Sequence, residues 1–161
     1  KAAFEDKRLN VIIDDGVLFA KNSKDKSYDL IIVDSTDPIG PGEGLFTVDF
    51  YTDCYRILNS DGILVNQNES PYFEKNAEEM KRANAKIKKI FPICEVYQAF
   101  IPTYPSGHWL FGFSSKRFHP IEDLKEEFWN GLNIKTKYYN TRLHKGAFAL
   151  PNYVLEMLNQ A

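Results

Sequence analysis

Tyr28-Asp29-Leu30-Ile31-Ile32-Val33-Asp34-Ser35-Thr36-Asp37-Pro38-Ile39-Gly40-Pro41 is the stretch on which the reading of this chain turns. Residues 30–33 are an apolar run without polar alternation, the pattern of a strand covered on both faces in a parallel sheet. The run breaks into two carboxylates, and Pro38, Gly40 and Pro41 then stop any strand or helix. Ligands of open α/β sheets bind outside the carboxyl ends of the strands, which is where Asp34 and Asp37 fall. Spacing alone leaves two readings open. Asp34 can cap a turn while Asp37 forms an Asx turn ahead of Pro38. Alternatively, the pair forms a pocket for a cationic amine, in which one carboxylate also takes a proton.

Outward from this stretch, strands and helices alternate. Upstream, residues 10–13 read as a short apolar strand ending in Asp14-Asp15-Gly16, and 17–21 as a helix. Downstream, Thr47 is an N-cap, with Phe50, Tyr51, Cys54, Tyr55, Ile57 and Leu58 at helical spacing. Ser60-Asp61-Gly62 reads as the end of that helix, and 63–65 as the start of the next strand. Ser70-Pro71 fits a helix start, and a helix is expected from about Phe73 or Asn76 to Ile90, stopped by Phe91-Pro92. Residues 96–101 and 109–114 read as an antiparallel pair joined by a proline turn. A short helix is expected over 121–129 and a last one after Pro151. The order argues for an α/β fold with a mostly parallel sheet, closed by an antiparallel hairpin and flanked by helices.

Bulk properties narrow the function classes. The 161 residues suffice for one domain with a substantial core, and the formal net charge of −2 gives no basic footprint for nucleic acid. No apolar run approaches the ~20 residues of a membrane helix, and the start has no signal-peptide pattern. Cys54 and Cys94 lack metal-ligand spacing and read as small apolar fillers in a reducing cytoplasm. No metal site is expected. Lys81 to Lys89 reads as a solvated basic helix face.

Asp34-Ser35-Thr36-Asp37-Pro38-Ile39-Gly40-Pro41, followed by Glu43-Gly44-Leu45-Phe46, closely resembles the signature of the spermidine synthases, the polyamine aminopropyltransferases. The resemblance continues through Asp14-Asp15-Gly16, Gln67-Asn68-Glu69-Ser70-Pro71, Ile101-Pro102-Thr103-Tyr104-Pro105-Ser106-Gly107 and Tyr138-Tyr139-Asn140 with His144. It covers nearly the whole chain, in order. It implies a Rossmann-like sheet of the methyltransferase type and transfer of an aminopropyl group from decarboxylated S-adenosylmethionine to putrescine. No cofactor or metal is needed, because the sulfonium donor is already activated.

The resemblance places proton acceptance on Asp34 and diamine binding on Asp37, Gln67, Glu69 and Tyr104. Gln67 and Glu69, two residues apart on a strand end, are expected to point to one side. Nucleoside contacts fall on Asp15, Gly16, Pro41 and Leu45, with Gly42 standing where alanine is common. Tyr138, Tyr139, Asn140 and His144 read as structural. Family members are longer, with an N-terminal β domain and a glycine-rich nucleoside-binding unit, and no G-x-G-x-x-G occurs here. Residues 1–161 therefore read as the C-terminal part of the catalytic domain, inactive alone, from a parent expected to be a cytoplasmic homo-oligomer. Two rivals stand beside this reading: an N-methyltransferase acting on a diamine, which shares the aspartate motif, and a non-catalytic remnant domain.

Overall fold

The computed structural model describes residues 2–35 and 40–159. Four strands form one sheet: β1 (Tyr28–Val33), β2 (Leu58–Gln67), β3 (Ile93–Phe100) and β4 (His108–Ser115), in the order β1-β2-β4-β3. β1 runs parallel to β2, β4 antiparallel to β2, and β3 antiparallel to β4. The expected α/β fold with a closing hairpin is present. Among the described residues, however, the sheet is mixed, and its parallel part is confined to the β1–β2 pair. A missing ladder explains the difference. Residues 10–13, expected as a strand, form none, and Val11, Ile12 and Ile13 are 59, 55 and 98% exposed.

One face of the sheet carries the core. Ala20 of α1 (Gly16–Asn22) packs with Phe50, Tyr51, Cys54 and Ile57 of α2 (Val48–Ile57) against Leu58 and Leu64 of β2. Farther along the same face, Met80 of α3 (Glu74–Ile87) meets Val96, Leu110 and the Val154 and Leu158 pair of α6 (Asn152–Asn159). Each buried Val, Leu, Ile, Phe or Met side chain among these contributes roughly 1.5–3 kcal/mol by leaving water. β1 departs from the expectation of cover on both faces: Ile31 and Val33 pack on the core, while Leu30 and Ile32 are 51 and 67% exposed. Both cysteines are free, and burial pushes the Cys54 thiol up to about 12, which fits a filler.

Local chemistry explains where elements begin and end. Thr47 caps α2 as expected, its hydroxyl accepting from the Phe50 amide at 3.2 Å. Ser60-Asp61-Gly62 does not end that helix. Leu58, the residue after it, is already extended (φ −72°, ψ 141°), and β2 starts there. The glycine serves close packing instead, since a Cβ on Gly62 would lie 2.8 Å from the Leu58 Cβ. The β1–β2 register slips over this stretch, with Tyr28 opposite Leu58 and Leu30 opposite Ile63.

α3 stops at Ile87, short of the expected Ile90. α4 (Glu126–Gly131) starts later than the expected 121, after a turn in which the His119 amide donates to Asp123 Oδ2 at 2.7 Å. An additional helix, α5 (Thr141–Ala147), is capped by Asn140, whose Oδ1 accepts from the Leu143 amide at 2.8 Å. Arg56 of α2 fastens the end of α1. Its guanidinium donates to the Ala20, Lys21 and Ser23 carbonyls at 3.0, 2.9 and 2.8 Å, and to Asp53 and Asp25 besides.

Candidate active site

β1 delivers Asp34 to the carboxyl end of the sheet, where its side chain is exposed. It stands in the wall of a cavity of about 380 Å³ between β1, α1 and α2, with Gly16, Phe19, Tyr28, Leu45 and Phe50 among the lining residues. Three of the sequence-derived positions, Asp34, Gly16 and Leu45, therefore meet around one space. Asp15, next to Gly16, caps α1: its Oδ1 accepts from the Val17 and Leu18 amides at 2.8 and 3.1 Å. That geometry fixes the carboxylate beside the cavity and places the positive end of the α1 backbone there.

Opposite Gly16 runs the 3₁₀ segment Gly40–Phe46, which holds Pro41 and Leu45. It lies so close to α1 that a Cβ on Gly44 would fall 2.9 Å from Val17 Cγ2. The far end of the segment is anchored by Lys86 Nζ, which donates to the Phe46 carbonyl at 2.7 Å. Gly40 enters it with φ of 63°, a left-handed conformation that suits glycine. Asp37, the second acid of the motif, lies outside the described residues.

A second group forms where β2 ends. Gln67 closes the strand, and Asn68, Glu69 and Ser70 beyond it are 5, 7 and 0% exposed. The Asn68 amide donates to the Leu110 carbonyl at 3.0 Å, and the Leu110 amide to the Glu69 carbonyl at 3.4 Å. Two residues of this strand end thus oppose one residue of β4, as in a β-bulge, a feature that gathers near functional sites. The regular alternation expected from Gln67 to Glu69 is interrupted there.

Behind Gln67, the Asn66 side chain lies across β4, its Nδ2 donating to Asn68 Oδ1 at 2.8 Å. Only glycine leaves room for this, because a Cβ on Gly112 would stand 2.3 Å from Asn66 Oδ1. Tyr104 occupies the turn between β3 and β4, exposed and stacked on Trp109 with ring centroids 4.7 Å apart. Trp109 is buried and its Nε1–H has no hydrogen-bond partner.

Tyr138, Tyr139 and His144 do structural work. The Tyr138 hydroxyl accepts from the Phe100 amide at 3.1 Å. His144 Nε2 lies 2.8 Å from the Pro120 carbonyl, which can only accept, so Nδ1 is free to accept from the Tyr139 hydroxyl at 3.2 Å. Sequence reasoning passed over Trp109, His108 and the Asn66–Gly112 contact. A glycine among otherwise bulky residues, His108-Trp109-Leu110-Phe111-Gly112-Phe113, was the available signal of a close approach. Among the described residues, no helix is long and apolar enough to cross a membrane.

Comparison with known proteins points to one family. Residues 1–125 match the spermine/spermidine synthase domain. The chain is 67% identical over 156 residues to a polyamine aminopropyltransferase of Clostridioides difficile, covering 97% of this chain and 55% of that protein. It is 65% identical over 155 residues to one of Clostridium beijerinckii, covering 96% and 54%. Among solved structures, a spermidine synthase in complex with the transition-state analogue AdoDATO superposes with a TM-score of 0.92 at 39% identity, over 99% of this chain and 54% of that one. Spermidine synthase from Thermotoga maritima gives 0.89 at 38%, over 99% and 53%. The chain spans about half the length of the curated relatives it matches. From motif, fold and sequence together, the chain belongs to the spermine/spermidine synthase domain family.

Proposed function

We propose that residues 1–161 are the C-terminal part of the catalytic domain of an aminopropyltransferase, which transfers the aminopropyl group of decarboxylated S-adenosylmethionine to putrescine. An alkylammonium titrates at roughly pH 10 and has no lone pair while protonated. The site must therefore remove a proton and hold the free amine in line with the methylene carbon attached to sulfur. Asp34 takes that proton. The nitrogen lone pair forms the new C–N bond, the C–S bond breaks, and its electron pair stays on sulfur. Spermidine and methylthioadenosine leave.

Asp37 binds the acceptor, Gln67 and Glu69 hold its far amine, and Tyr104 bounds the acceptor site. Asp15, Gly16, Pro41 and Leu45 receive the adenine. In the whole protein, this part works in a cytoplasmic homo-oligomer assembled through an N-terminal domain. The observation that carries the reading is the place of Asp34, at the carboxyl end of β1 in the wall of the cavity shared by Gly16 and Leu45.

A chimera in which this chain replaces the matching segment of the C. difficile relative tests it. Asp34→Asn in that chimera should lower kcat by about 10²–10⁴-fold, the range for a lost general base, with methylthioadenosine affinity retained. Turnover near that of the parent chimera would remove Asp34 from the role.

A further inference from the structure

On the face of the β3–β4 hairpin opposite Trp109 and Tyr104 stands His108, since neighbouring strand residues point to opposite faces. Its ring joins three segments. Nε2 lies 2.9 Å from Gln98 Oε1 on β3, and Nδ1 lies 3.1 Å from the hydroxyl of Tyr72, three residues past Glu69. That hydroxyl lies 2.7 Å from the hydroxyl of Tyr153 on α6.

The direction of each bond follows from one fixed end. Gln98 Nε2 donates to the Ala149 carbonyl at 3.1 Å, which turns its Oε1, an acceptor only, toward His108. Nε2 must then carry the proton. Burial holds His108 below the ordinary histidine range, so the ring is neutral near pH 7 and Nδ1 accepts from Tyr72. The Tyr72 oxygen in turn accepts from Tyr153. Protons thus point one way along Tyr153, Tyr72, His108, Gln98 and the Ala149 carbonyl.

A second tie runs in parallel. The Ser70 and Ser106 hydroxyls lie 3.1 Å apart, and Ser106 Oγ bonds both the amide and the carbonyl of His108, at 3.3 and 3.2 Å. Ser106 and Gly107 complete the turn in left-handed conformations, φ 73° and 65°. The turn bearing Tyr104 is therefore bonded to the segment that follows Glu69 at two points, Ser106 and the His108 ring.

We propose that His108 is a positioning residue for the acceptor end of the site: through Tyr72 and Gln98 it holds the Tyr104 turn in register with the strand end that carries Glu69. This inference rests on the reading of Tyr104 and Glu69 as diamine-binding residues.

Two measurements test it. In the 161-residue chain itself, ring ¹⁵N spectra near pH 7 should show His108 protonated on Nε2 alone. A ring protonated on Nδ1 would overturn the wiring. In the chimera described above, His108→Gln and Tyr72→Phe remove the same link from either side. Each should raise KM for putrescine about three- to tenfold, the worth of one ordinary hydrogen bond, with kcat and nucleoside KM within about twofold. The double variant should be no worse than the larger single, because one link is lost once.

A purely structural role would lower Tm and the active fraction while leaving KM alone. Unchanged KM in both single variants, with spermidine still formed, would overturn the positioning role and spare the functional reading. A parent chimera that forms no spermidine would overturn that reading, and the inference with it.

Discussion

The two ends of the candidate site, the Gln67 strand end proposed for the acceptor and the Asp15 side proposed for the nucleoside, are enclosed to different degrees. Around Gln67, the residues Asn66, Asn68, Glu69 and Ser70 are all 7% exposed or less, with Asn66 Nδ2 bonded to Asn68 Oδ1 and the Ser70 hydroxyl to Ser106. Around Asp15 and Asp34, apolar side chains stand open: Leu30, Ile32 and Ile13 are 51, 67 and 98% exposed. Exposed apolar surface is disfavoured by roughly 25 cal/mol per Å², so this side gains most from any further cover. The contrast teaches that this chain encloses the strand end proposed to hold the acceptor, whereas the side proposed to receive adenine stands open.

The largest expected effect tests whether the two ends meet in one reaction. Asp34→Asn sits on the open side, yet it should stop transfer by about 10²–10⁴-fold, because proton removal from the acceptor depends on it. If the contrast in enclosure is real, titration of methylthioadenosine into the 161-residue chain should give weak heat or none by calorimetry. Tight binding would show that the open wall is already a complete pocket.

Next in size is a change on the enclosed side. Gly112→Ala would drive a methyl to 2.3 Å from Asn66 Oδ1. Overpacking of that kind costs about 1–3 kcal/mol, which denaturant titration of the isolated chain would resolve. A neutral result would mean that the Asn66–Asn68 layer is loose.

Asp15 sharpens the comparison further, since it both caps α1 and borders the cavity. Asn caps helices as well as Asp, so Asp15→Asn should leave stability within about 0.5 kcal/mol, while Asp15→Ala should cost about 0.5–2 kcal/mol. If the carboxylate also receives adenine, both variants should weaken nucleoside affinity in the chimera. Loss of affinity in the alanine variant alone would reduce Asp15 to a cap.

The smallest effect is a pH limb. Burial depresses the His108 pKa in the folded state, so the unfolded chain binds more protons as pH falls through the unfolded value of ~6.5. This part of the stability is present above that pH and lost below it. His108→Gln should flatten that limb in a Tm-versus-pH series, and an unchanged slope would place the titration elsewhere.

Much of this arrangement was legible in the residues. The apolar run ending at Asp34, the Thr47 cap and the hairpin across Pro102–Gly107 follow from local pattern and turn chemistry, and the structure has all three. What was not legible depends on contacts distant in sequence. Ser60-Asp61-Gly62 has the composition of a helix stop, but Gly62 is demanded by Leu58 packed against it. Residues 10–13 have the composition of a strand, but a strand needs a neighbour. Leu30 and Ile32 look like core because periodicity reports hydrophobicity, not what covers it. The bulge at Asn68 and Glu69 has no sequence mark, since it arises from pairing with Leu110.

The most direct test of the central claim is product analysis of the chimera by mass spectrometry, with putrescine offered alongside either decarboxylated S-adenosylmethionine or S-adenosylmethionine. The account predicts spermidine and methylthioadenosine from the decarboxylated donor, with both products lost in Asp34→Asn. Formation of N-methylputrescine from S-adenosylmethionine, or spermidine made as fast by Asp34→Asn as by its parent, would contradict it.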